Sequence, residues 1–102
     1  MYNKKIKMKD SKELKLIDGK FTTEEASEIL LNLYGNKIQF HELKNFSSQE
    51  RFQKEDAIAI QRIPELKVDM ETVVKLIKEA IQKNQKLEIK SFIQISLSSS
   101  KN

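Results

Sequence analysis

The chain has 102 residues, 38% hydrophobic against 33% charged, which is enough for one domain with a modest core and too little for a deep enzyme pocket besides. No apolar run reaches membrane-spanning length, and there is no cysteine for disulfide or thiolate chemistry. The net charge of +4 sits at one end: residues 1–20 hold seven lysines against Asp10, Glu13 and Asp18, while residues 21–102 balance twelve basic against twelve acidic side chains. A soluble cytoplasmic protein is expected, because the N-terminal lysines have no apolar stretch behind them to form a signal peptide.

Residues 1–12 read as a basic arm or an edge strand, with Ile6 and Met8 alternating with lysines. Lys4, Lys5, Lys7 and Lys9 are candidate nucleic-acid contacts. Against that reading, only Tyr2 lies near enough to stack on a base, no arginine is present there, and the body carries no excess charge. Residues 13–97 form the expected single domain and 98–102 a flexible tail. Glu13–Ile17 is expected to be a strand ending at the Asp18-Gly19 turn. If residues 5–9 are a strand too, Asp10-Ser11 would close a hairpin with it.

Thr22-Thr23-Glu24-Glu25 is a helix start. Thr22 and Glu25 have the spacing of a capping box, and Phe21 stands before it as a staple. Ala26, Ile29, Leu30 and Leu33 then share one face, and Gly35 suits a C-terminal cap, so a helix is predicted over about 23–34. Residues 36–48 fit a short second helix, with Ser48 capping the next one. From Gln49 to Lys83 the composition is helical, broken only by Pro64. A kink or break near Arg62-Ile63 is expected, with Pro64 placed as a first helical residue. Asn84 ends the segment. Leu87, Ile89, Ser91, Ile93, Ile95 and Leu97 share one parity and predict a long half-buried strand.

Ile63, Leu66, Met70, Val73, Ile77 and Ala80 recur at alternating spacings of four and three, placing six apolar side chains on one helical stripe. Register fits a coiled-coil seam between subunits. Shortness, the acidic Asp56 upstream, and the broadening by Val74 and Ile81 fit packing within the molecule. His41 is the only histidine. It lies among Phe40, Leu43 and Phe46, so a structural role is favoured over a general base working with Glu42 or Glu50. Glu24/Glu28 and Glu55/Asp56 read as surface carboxylates. Glu71/Lys75 and Glu79/Lys83 read as i,i+4 ion pairs.

Leu16-Ile17-Asp18-Gly19, Phe21, Glu24-Glu25-Ala26, Ile29-Leu30, Lys37-Ile38, Phe40-His41, Leu43, Phe46-Ser47 and Glu50-Arg51-Phe52 form a pattern that resembles a set of small proteins of unknown function from Bacteroidetes-type bacteria. The resemblance implies a bacterial, single-domain, cytoplasmic protein and carries over no catalytic or binding residue.

The expected fold is α+β: a two- or three-stranded sheet pairing the N-terminal strand with the long C-terminal one, covered by a short helix and a long kinked helical segment. The expected role is a non-catalytic interaction or structural module that self-associates or binds another protein, with no cofactor, no metal and no membrane. Ile63, Leu66, Met70, Val73 and Ile77 on the helix, and Leu87, Ile89, Ile93 and Ile95 on the strand, are the candidate interface.

Overall fold

A computed structural model describes residues 11–99 of the chain, so the arm lysines and the possible strand at 5–9 lie outside the described residues. The architecture is α+β, in the order β1 (Ser11–Phe21), α1 (Thr23–Phe52), α2 (Ala57–Gln82) and β2 (Leu87–Ser96). The chain divides into two compact units. One holds the strands, up to Lys20 and from Glu88 onwards; the other, Phe21–Leu87, holds the helices.

The first unit is a two-stranded antiparallel sheet of β1 and β2, which is the expected pairing of first and last elements. β1 is longer than predicted. It runs through Asp18-Gly19 to Phe21, and Gly19 does not adopt positive φ. Asp-Gly favours a turn only where the chain must reverse. Here the strand continues in an extended backbone that glycine tolerates equally well. Alternation puts Leu14 and Leu16 on one face of β1 and Ile17, Gly19 and Phe21 on the other. The second set is half-buried and the first is exposed. On β2, Leu87, Ile89 and Ser91 are half-buried, whereas Ile93 and Ile95 are exposed.

The second unit is an antiparallel helical hairpin. The capping box forms as expected: Glu25 N–H donates to Thr22 Oγ1 at 3.1 Å, and Thr22 N–H donates to Glu25 Oε1 at 3.0 Å. Three expectations for the helical region are corrected. First, α1 does not stop at Gly35 but continues for 30 residues to Phe52, absorbing the helix expected at 36–48. One interior glycine costs about 1 kcal/mol relative to alanine, which propagation and packing on a second helix outweigh. Second, Ser48 does not cap the next helix. Its hydroxyl donates to Lys54 O at 2.8 Å from inside α1. Third, the break between helices falls at 53–56, inside a stretch of helical composition, and α2 stays helical through Pro64, so Pro64 does not open a new helix. Gln53 ends α1 in the left-handed region (φ 56°), with its N–H on Gln49 O. Asp56 caps α2 by accepting from Ala59 N–H at 2.9 Å, and Asn45 Oδ1 accepts from Asp56 N–H at 2.8 Å. Four polar groups therefore fasten a four-residue turn that proline was expected to provide.

Asn84 ends α2 in the left-handed conformation (φ 56°), and Gln85 N–H donates to Ala80 O at 2.9 Å, as in a Schellman cap. Between these ends the helices meet along matched heptads. On α1 one buried or half-buried series is Ser27, Leu31, Tyr34, Ile38, His41, Asn45 and Ser48, with Ala26, Ile29, Leu30 and Gly35 also buried or half-buried beside it; on α2 the series is Ala59, Ile63, Leu66, Met70, Val73, Ile77 and Ala80, with Val74 half-buried beside it. Both series step by alternating fours and threes, the spacing that keeps two helices in contact. The apolar stripe of α2 is therefore turned toward α1. Leu66 and Ile77, at 5% and 7% exposure, each contribute about 2 kcal/mol of burial.

Candidate interaction site

Where the helices run side by side they leave an open groove of about 640 Å³. Its floor is Gly35 and Ile38 of α1 with Met70 and Val74 of α2. Lys67, Lys75 and Lys78 line the α2 side, with Glu71 between them. The groove follows from the seam. Ile38 and Met70 are seam positions, while Val74 lies one residue round from Val73, and Gly35 lacks the side chain that would close the opening. A Cβ at Gly35 would meet nothing within 4 Å. Apolar floor and basic wall together suit a partner that is apolar along its centre and acidic along one edge.

The candidate residues fall into three groups. Leu66 and Ile77 are buried and Ile63 and Val73 half-buried within the hairpin, so these side chains stabilise the seam. Met70 belongs to both seam and groove. On β2, Leu87 and Ile89 are half-buried, while Ile93 and Ile95 stay 40% and 52% exposed. Leu14 and Leu16 of β1 are exposed to the same degree, at 52% and 50%. In the sequence neither Gly35 nor the three lysines stands out as a site. The one hint there is that Val74 and Ile81 broaden the stripe beyond a strict seam.

His41 is buried at 6% exposure, and its Nε2 has no hydrogen-bond partner. Its ring meets Phe40 edge-on, with centroids 5.2 Å apart. Glu42 and Glu50 are exposed, and Glu42, as the next residue along the helix, points about 100° away from it. Phe40 is half-exposed and carries Lys37 Nζ at 4.8 Å and Lys44 Nζ at 5.9 Å over its ring, contacts that partly cover it. Among the described residues no three His, Asp or Glu side chains are grouped to hold a metal ion.

The surface carboxylates behave unequally. Lys83 donates to Glu79 at 2.7 Å, as expected, and that bond with its charge holds the Glu79 carboxyl below its ordinary value of 4.5. Arg62 pairs with Glu65, and Lys15 with Asp18 at 3.0 Å. The expected Glu71/Lys75 pair is absent among the described residues; Lys75 is instead one of the unpaired cations along the groove. A second, smaller cavity lies beside Thr22, Thr23, Ala80 and Ile81 at the far end of the hairpin. The capping box already occupies the helix N-terminus there.

Among the described residues no helix is long and apolar enough to cross a membrane. No known family, curated protein or solved structure matches the chain.

Proposed function

We propose that this chain is a non-catalytic interaction module whose partner is a second copy of itself. The supporting observation is the mismatch between what is buried and what is left out. The core consists of Ala26, Ile38, Ala59, Leu66, Ile77 and Ala80, and no large side chain among the described residues is fully buried. Meanwhile Leu14, Leu16, Leu33, Phe40, Leu43, Ile93 and Ile95 remain 40–60% exposed. Isolated apolar side chains on a surface are ordinary, but runs of them on several elements mark surfaces that another molecule covers. A two-stranded sheet is also marginal in isolation and gains stability from further packing. Closed pairs are the commonest way for one chain to satisfy such surfaces.

Two differently tagged copies of the full chain, co-expressed and purified through one tag, test the proposal. The untargeted copy is expected to be retained in comparable amount through washes at moderate salt. Its complete loss, with the captured copy still helical by circular dichroism, would contradict homotypic association.

A further inference from the structure

Gly35 stands in the middle of a 30-residue helix, with ordinary negative φ and open space where its side chain would be. Within one copy nothing requires a glycine there, and alanine would favour the helix by about 1 kcal/mol. A missing side chain at an open helix surface does permit the close approach of another backbone. Gly35 is also the centre of an acidic row. Glu28 and Glu42 lie seven residues to either side of it and so fall on the same face of α1; both are exposed and without ion pairs among the described residues. Across the groove, Lys75 and Lys78 are likewise exposed and unpaired. One face of the hairpin thus carries an acidic edge on α1, a basic edge on α2 and an apolar floor between them.

We infer that this groove seats α1 of a second copy, forming a two-fold four-helix bundle in which Gly35 of each copy packs over the Met70–Val74 floor of the other. The inference rests on the self-association reading and specifies its surface. Charge selects the arrangement. A two-fold axis running along the hairpin lays α1 of each copy on α2 of the other and keeps residues at the same height. Gly35 and Met70 line the groove together and the helices run in opposite directions. Glu28, about 10 Å back along α1, is therefore level with the stretch holding Lys75 and Lys78. The partner's Glu28 then meets both lysines. A two-fold axis across the hairpin would lay α1 on α1 and, centred on Gly35, set Glu28 against Glu42, which repel. The extra carboxylate of Glu71 leaves the basic wall at a net two positive charges, still complementary to the acidic row.

Reversal and compensation of charge in the full chain, read by analytical ultracentrifugation, test the geometry. Lys75→Glu with Lys78→Glu is expected to raise the dimer dissociation constant by at least about tenfold. Adding Glu28→Lys to that variant is expected to bring it most of the way back. Gly35→Leu is expected to leave helicity unchanged and dissociate the pair, because leucine favours the helix but fills the groove. If the unmodified chain pairs while Lys75→Glu/Lys78→Glu and Gly35→Leu both leave its dissociation constant unchanged, the groove assignment is overturned and self-association stands on another surface. If the unmodified chain does not pair at all, both readings fall together.

Discussion

His41 occupies a seam position of α1 where an apolar side chain would pack as well, and its Nε2 is buried without a partner. A buried, unsatisfied polar group costs about 1–3 kcal/mol, whereas an apolar side chain of similar size at the same place carries no such cost. His41→Leu is therefore expected to raise unfolding stability by about 1 kcal/mol in urea denaturation. A loss of that size would show that the imidazole makes a hydrogen bond in solution. Two other polar residues of the seam are hydrogen-bonded: Asn45 Oδ1 accepts from Asp56 N–H and the Ser48 hydroxyl donates to Lys54 O, so both act at the turn end of the hairpin. The turn is therefore hard to see in the sequence. Asp56 was seen as a polar interruption of an apolar stripe, when its side chain is the cap that starts the helix carrying the stripe.

At the scale of elements, the start of α1 and the buried face of α2 were legible, while the end of α1 and the start of α2 were not, and part of the reason lies in where each helix keeps its apolar residues. The α2 seam is apolar at six of its heptad positions from Ile63 to Ala80, so its buried face could be read directly. The α1 seam is Ser27, Leu31, Tyr34, Ile38, His41, Asn45 and Ser48, mostly polar, while Leu33, Phe40 and Leu43 lie outside it. Of the face expected at the start of α1, Ala26 is buried and Ile29 and Leu30 are half-buried, and Leu33 is exposed. The same polarity hid the candidate groove, which needs Gly35 to be inside a helix and not at its end. The final strand was readable because its alternation is regular from Leu87 to Leu97, whereas β1 mixes parities at Leu16-Ile17 and disguises its length. Pro64 remains the costly residue of α2, since it removes the hydrogen bond to Ile60 O from a helix interior. Pro64→Ala is expected to raise the melting temperature, with a gain approaching about 3 kcal/mol if the helix relaxes fully. A lowered melting temperature would mean that α2 needs a bend at Pro64 to follow α1.

For the whole molecule, the balance of buried and exposed apolar surface carries the account. Each unit satisfies one face. In the sheet unit Ile17 and Ile89 are half-buried while Leu14, Leu16, Ile93 and Ile95 are exposed. The hairpin closes one seam and leaves a groove beside it. If the chain pairs as proposed, pairing stabilises it and its apparent stability rises with protein concentration. The most direct test is the mass of the full chain by sedimentation equilibrium across the micromolar range. The account predicts a particle of twice the 11.9 kDa chain mass that dissociates on dilution. A single 11.9 kDa species at every concentration would contradict it.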